Sequence, residues 1–221
     1  MLAAGTLAGC SDDPGSVSAD RSPEEVMGLA KTTLDETSGV SLSLTTSDLP
    51  SGVDGVKAAT GVGIHPPAFD GSLTVALSGT EFKVPVIAVD DKVWAQIPLT
   101  PGWSDVDPAD YGAPDPSRLM STDAGFSALL PATEGVEEGE SVRGGENNDE
   151  VLTEYTGTLP SSVVTNVIPS ASGDFDATYT VTDGGELRTV ALTGVFYPET
   201  DPITYTIGFD DYGIEPDITA P

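Results

Sequence analysis

The apolar pattern of the chain switches between two periods. Val26, Ala30, Thr33 and Leu34 fall on one side of a 3.6-residue wheel, and the spacing predicts a helix over 23–37. Its start is written in Ser22-Pro23-Glu24-Glu25: Ser22 caps, Pro23 fits the first helical position, and Glu25 returns a hydrogen bond as in a capping box. Gly39 stops it. From Val40 the period becomes two, with Val40, Leu42 and Leu44 alternating against Ser41 and Ser43 as in a half-buried strand. The same alternation recurs in Leu73, Val75 and Leu77, in Phe82, Val84, Val86 and Ala88, and in Val93, Ala95 and Ile97. Turn signals at Ser78-Gly79 and Asp90-Asp91 make these adjacent antiparallel strands. Pro85 removes a ladder donor, so its strand is expected at an edge or bulged there.

Residues 103–121, dense in Pro and Asp, predict an ordered loop with a helical turn near 116–120. Residues 124–130 predict a short helix ending before Pro131. Strands are expected at 137–142 and 151–158, split by the polar run GGENNDE, and a short helix over 160–168 lies between prolines. Three last strands are expected at about 174–182, 187–197 and 203–210. Helix, meander, short helices, meander is the order of an α+β fold with helices on one face of a large antiparallel sheet. Two or three short helices offer little cover for so many inward faces. A packed core and a helix-lined cavity for a hydrophobic ligand both answer that mismatch.

The 221 residues suffice for one sizeable core. Thirty-six acidic groups against 8 basic ones leave a net charge of −28, which repels phosphate backbones, and no basic stripe with interleaved aromatics exists. Nucleic acid is therefore excluded as a partner, and the acidity reads as a solvated surface suited to an extracytoplasmic setting. Little in the chain points to catalysis. His65, the only histidine, precedes Pro66-Pro67 with no G-x-S-x-G motif nearby, so a triad or multi-histidine metal site is not expected. Asp105, Asp107 and Asp110, and likewise Asn147, Asn148 and Asp149, offer oxygens to calcium but lack the spaced Gly and closing Glu of an EF-hand loop. Phosphate-cradling Gly loops are missing and no spacing singles out a carboxylate pair. The expectation is a protein that is not an enzyme, with no catalytic residue, metal or cofactor.

Cys10, the single cysteine, forms no internal disulfide and has no basic neighbourhood to activate it. Residues 1–9 are small, apolar and uncharged, too short to span a bilayer and without the basic start of a full signal peptide. Residues 11–21 have the composition of a flexible tether. Leu7-Ala8-Gly9-Cys10 resembles a bacterial lipobox, in which the Cys is diacylated and becomes the mature N-terminus. On that resemblance residues 1–9 are the remnant of a leader, 10–21 a lipidated tether, and 22–221 one domain.

The domain resembles the LppX/LprAFG family of actinobacterial lipoproteins, and its LprG-type members most. The resemblance is carried by Trp103-Ser104-Asp105 after a hairpin, by Asp115-Pro116-Ser117-Arg118-Leu119 leading to Asp123-Ala124-Gly125-Phe126 and Leu129-Leu130, and by the late helix around Val163 to Ile168. The order of elements is similar over residues 23–215. Departures are the greater acidity and a stretch at 132–150 rich in Gly and Glu. The family implies a strongly curved antiparallel sheet, a half-barrel similar to LolA and LolB, with helices packed on its concave face around a hydrophobic cavity. It also implies binding of triacylated lipids or glycolipids and their carriage from the membrane into the cell envelope, with an inner-membrane exporter as a further partner. The protein is then expected on the cell membrane, lipid-anchored through Cys10 and extracytoplasmic.

Alternation together with the resemblance selects the cavity wall. The strand residues are Leu42, Leu44, Leu73, Val75, Leu77, Phe82, Val84, Val86 and Val93; Leu129, Leu130, Val163 and Val167 form a helical lid. A one-residue error in register would turn the whole strand set outward. The alternative is a structural or sensory surface lipoprotein with a packed core that binds protein partners through acidic loops. A void above about 1,000 Å³ favours the carrier and a filled core favours the alternative.

Overall fold

A computed structural model describes residues 21–221 apart from Gly112, Glu146 and Asn147. Helix α1 (Pro23–Glu36) starts where the cap signals require. Ser22 Oγ accepts from the Glu25 amide at 3.3 Å while Glu25 Oε2 accepts from the Ser22 amide at 2.8 Å, pairing two donors that a helix start leaves free. Its buried face carries Val26, Met27, Ala30 and Leu34. At the other end His65 Nε2 donates to the carbonyl of Leu34 at 3.2 Å. Because a carbonyl only accepts, the hydrogen sits on Nε2, and the lone histidine serves to close the helix.

Strands β1 (Gly39–Thr45), β2 (Gly55–Ile64), β3 (Ala68–Leu77), β4 (Thr80–Val89), β5 (Lys92–Ala95) and β6 (Ser104–Val106) form a meander. The chain then passes through two 3₁₀ turns, Pro108–Tyr111 and Ser117–Met120, and helix α2 (Phe126–Ala132) to the opposite edge of the sheet. There follow β7 (Glu134–Gly144), β8 (Glu150–Leu159), helix α3 (Ser161–Val167), β9 (Ser172–Thr182), β10 (Leu187–Val195) and β11 (Ile203–Asp210). β11 pairs with β1, so the two meanders join in the middle of one antiparallel sheet ordered β6-β5-β4-β3-β2-β1-β11-β10-β9-β8-β7. The sheet does not close: the architecture is an α+β half-barrel. Its edges are poor templates for a further strand, β6 being three residues long and β7 carrying exposed Glu134, Glu137, Glu138 and Glu140.

Four local expectations differ from the structure. β2 carries no sequence alternation, because its inward positions Val56, Ala59, Gly61 and Gly63 are small and a bulge between Val56 and Ala58 breaks the period. β6 lies within the segment expected to be loop. α2 continues through Pro131 instead of stopping before it. There the proline costs one hydrogen bond, to the carbonyl four residues back, in the last turn of the helix, and the Thr133 amide donates to Leu130 O at 3.3 Å to finish it. Pro85 sits in an unbroken β3–β4 register opposite Ser72, with no bulge. On its other side β5 pairs with Val86–Val89, and just past β5 the Gln96 amide donates to Pro85 O at 3.0 Å, so the proline stands at the end of that ladder, neither at a free edge nor at a bulge, and costs only its own missing donor.

The interior divides in two. Under β8, β9 and β10 it is filled by Tyr155, Phe175, Tyr179, Leu187 and Leu192, all essentially inaccessible. Under β1 to β5 it is not filled.

Candidate functional site

Inward rows run straight across the strands. Ile207 on β11 faces Leu44, Leu44 faces Ala59, Ala59 faces Leu73, and Leu73 faces Val84. The next row runs Phe209, Leu42, Gly61, Gly71, Val86 and Ala95. Above these rows lies a void of about 280 Å³, roofed by Phe126 and Leu129 from α2, by Val164 and Val167 from α3, and by Pro114 and Leu119 from the crossover. Two devices hold the roof. Lys31 Nζ on α1 donates to Asp35 at 2.7 Å, to the Thr122 carbonyl at 2.6 Å and to Ser127 Oγ at 3.3 Å. At the far end of α2, Thr133 Oγ1 donates to Leu129 O at 2.9 Å and so accepts from the Tyr179 hydroxyl at 2.7 Å. Burial pushes that hydroxyl up to about 12, so it stays protonated and donating.

Leu42, Leu44, Leu73, Val75, Leu77, Val84, Val86, Val93, Leu129 and Val167 line the void. Phe82, Leu130 and Val163 do not. Leu129 and Leu130 are consecutive on a helix and point about 100° apart, so only one meets the void while Leu130 is buried in the packed interior. On α3 the lining face is Val164 and Val167, continued by Ile168 just past its end, which leaves Val163 to one side and half-buried. Phe82 shares the face of Val84 but stands close to the Ser78-Gly79 turn, half-exposed. Cys10 and Asn147 lie outside the described residues. Asp105 and Asp107, considered as oxygen donors, have local roles: Asp105 pairs with Lys92 at 3.5 Å, and Asp107 Oδ1 accepts from the Ala109 amide at 2.9 Å.

Sequence reasoning missed the polar end of the cavity. The end of β1, the start of β2, the β3–β4 turn, the end of β10 and the starts of β9 and β11 all stand at one end of the sheet. Here the lining includes Asp54, Ser170, Tyr197 and Tyr205. Tyr205 Oη donates to the Val56 carbonyl and lies 2.8 Å from Tyr197 Oη. Burial pushes the Tyr205 hydroxyl far above the ordinary phenol range, with Tyr197 beside it adding to the effect. Asp54 Oδ1 accepts from the Ser78 amide at 2.6 Å and so fixes the hairpin turn at the rim. Ile97 and Pro98 line the void beside Leu99, whose side chain is wholly exposed. The alternation Ile203, Tyr205, Ile207 was visible in the sequence; what it lacked was any sign that Tyr205 meets Val56.

A model of the LppX_LprAFG lipoprotein family matches residues 22–214. The chain belongs to that family. Two solved structures from LppX_LprAFG-type proteins share its fold. LprF from Mycobacterium bovis superimposes with a TM-score of 0.72 at 13% identity, covering 90% of this chain and 96% of that one. Lipoprotein LppX from Mycobacterium tuberculosis gives a TM-score of 0.66 at 16% identity, covering 91% of this chain and 100% of that one. No curated sequence relative matches the chain. As a member of the LppX_LprAFG family the protein is grouped with lipoproteins by sequence, and the half-barrel is common to all three structures.

Proposed function

We propose that the cavity holds acyl chains of lipids or glycolipids, and that the protein carries them between the membrane and the cell envelope. The observation that carries this reading is an apolar void, walled by strands and roofed by helices, in a member of a lipoprotein family. A carrier of this kind has a physical task. Each methylene moved into water costs about 0.8 kcal/mol, so a chain of a dozen costs on the order of 10 kcal/mol and leaves a bilayer slowly. A wall of Leu, Val and Phe replaces the bilayer interior at little net change while a polar headgroup stays at the wet end. No bond is made or broken, and the reading is of a non-enzyme without cofactor.

The volume limits the cargo. At about 280 Å³ the void lies near the lower end of ordinary ligand pockets and under the 1,000 Å³ taken above as the mark of a carrier. The interior is nevertheless not filled on this side, which a purely packed lipoprotein would not leave. A triacylated cargo requires α2, α3 and the crossover to move away from the sheet; one chain requires less. In this reading residues 22–221 are the binding domain, 10–21 a tether, and Cys10 a lipid anchor on the extracytoplasmic face, with an inner-membrane exporter as a candidate supplier.

Protein purified from an actinobacterial host should carry acyl lipid, seen by mass spectrometry of a solvent extract. An extract without lipid, together with no uptake of added glycolipid, refutes the carrier and leaves the surface lipoprotein. Cys10→Ser should release the protein from membranes of that host; continued attachment refutes the anchor.

A further inference from the structure

Leu99 is wholly exposed in the loop that joins β5 to β6. A single exposed leucine is ordinary; the backbone beneath this one is not. The Thr100 amide donates to the Ile97 carbonyl at 3.0 Å, and Leu99 has φ +66°. With Pro98 before it this is a type II turn, whose third residue is by preference glycine or asparagine because other side chains are strained there. The loop between β1 and β2 shows the usual solution. In Pro50-Ser51-Gly52-Val53 the Val53 amide donates to Pro50 O at 3.1 Å, and the residue with φ +89° is Gly52. Of the 7 non-glycine residues with positive φ among those described, Leu99 alone is apolar. The chain therefore holds a strained backbone to present an apolar side chain to solvent.

The surroundings narrow what covers it. β5 runs antiparallel to β4, so this loop stands at the same end of the sheet as the Ser78-Gly79 turn and the polar end of the cavity. Ile97 and Pro98 line the void, and Leu99 continues that wall outward past the rim. Residues 96–103, QIPLTPGW, carry no charge in a chain of net charge −28. Asp48, Glu199 and Asp201 stand exposed at the same end and disfavour an anionic surface. One leucine on a narrow turn covers far less than the roughly 1,000 Å² that a stable protein interface needs. A bilayer asks for no complementary shape, only for an apolar side chain free to leave water.

We propose that the Ile97–Thr100 turn is a membrane-docking tip: Leu99 enters the acyl layer of a bilayer with zwitterionic headgroups and sets the cavity rim against it. The docking stands on Leu99 itself; that it serves the passage of cargo rests on the carrier reading. One leucine holds a free protein only weakly, so Cys10→Ser still releases the chain, whereas on an anchored chain the same contact is intramolecular.

The test uses the full chain carrying Cys10→Ser, so that no anchor contributes, with phosphatidylcholine vesicles at high concentration. Leu99→Trp in that background should add emission, beyond that of Trp94 and Trp103, that brominated acyl chains quench. Leu99→Ser should lower partition onto the vesicles about tenfold, the worth of burying about one leucine. Phosphatidylglycerol vesicles should bind more weakly, and binding to them should rise with salt as the acids are screened. Leu99→Gly should lose partition as Leu99→Ser does, with a thermal midpoint unchanged or higher, since glycine takes this φ without strain. A merely structural leucine gives the reverse, a lower midpoint with partition unchanged. Transfer of a pyrene-labelled acyl lipid from protein to phosphatidylcholine vesicles should slow about tenfold in Leu99→Ser, with equilibrium binding of that lipid by the protein unaltered.

Unquenched emission in Leu99→Trp, or equal partition of Leu99→Ser and its parent, overturns the docking while the carrier stands if the labelled lipid still binds. A dimer that Leu99→Ser turns into a monomer in light scattering assigns the tip to a second copy and overturns it as well. Quenching with an unaltered transfer rate overturns the role in passage. Quenching without any binding of the labelled lipid supports the docking and refutes the carrier.

Discussion

The ring of Phe69 lies against Gly61, in the space a side chain at position 61 would occupy. Phe69 is buried and on the cavity lining, and Gly61 sits opposite Gly71 in the adjacent strand, which the same ring covers. Glycine here is not a concession to a turn; it lets an aromatic ring lie flat on the sheet and keeps it out of the void. Gly61→Ala should push the ring into the cavity and crowd the Asp70 carbonyl of the neighbouring strand, 2.5 Å from the added carbon. The expected cost is about 1–3 kcal/mol, as for other over-packed cores, with a fall in lipid uptake. Urea unfolding and dye displacement measure the two effects; an unchanged midpoint would mean that both the ring and the Asp70 carbonyl give way freely.

Leu73 tests the wall from the other side. It stands between Ala59 and Val84 in an inward row, and the space above it is empty. Leu73→Trp therefore grows into a void and not into packed neighbours, and stability should change by less than about 1 kcal/mol. Lipid binding should weaken at least tenfold, an effect of about 1.4 kcal/mol. Val75→Trp should act alike. Undiminished loading in both variants would show that these strands present the other face to the cargo.

What the sequence made legible follows from how each signal is encoded. The strands holding Leu42 and Leu44, or Leu73, Val75 and Leu77, alternate large apolar with polar or small residues, so period alone reveals them. β2 hides because its inward residues are small by necessity: Gly61 admits Phe69, and Gly63 admits Met120. The first helix was legible from its capping box, which is local. The polar end was not, since it joins Val56 to Tyr205 and Tyr205 to Tyr197 through contacts between residues far apart in the sequence or beyond the strand ends. Membership of the lid was half legible. A pair such as Leu129-Leu130 tells of a buried helix, and only the helix's rotation decides which of the two meets the cavity.

That rotation gives paired expectations for α2. Leu130 is 1% exposed and off the cavity, so Leu130→Ala leaves a new hole in a packed region and should cost about 2–5 kcal/mol. Leu129→Ala enlarges a void that already exists. It should cost less and alter ligand preference toward bulkier chains. Thermal unfolding with and without lipid separates them. Equal losses of stability with unchanged ligand preference in both would contradict the assignment of Leu129 to the roof.

Tyr179 makes the fold sensitive to alkali. Its hydroxyl, donating to Thr133 beneath α2, is held at about 12 by burial against about 10 in an unfolded chain. A folded value raised above the unfolded one favours the protonated state. The stability it contributes is therefore complete below about pH 10 and is lost as pH climbs through about 12. Two units correspond to about 3 kcal/mol. Tyr205 and Tyr212 are also raised, chiefly by burial, and extend the loss to higher pH. The slope of unfolding free energy against pH, from urea titrations at about pH 9 to about pH 12, should be shallower in Tyr179→Phe than in wild type by one ionisation. The variant starts lower at neutral pH because the Thr133 bond is gone, so the slope and not the absolute stability is the readout. Parallel slopes would mean that the Tyr179 hydroxyl ionises as readily inside the half-barrel as outside it.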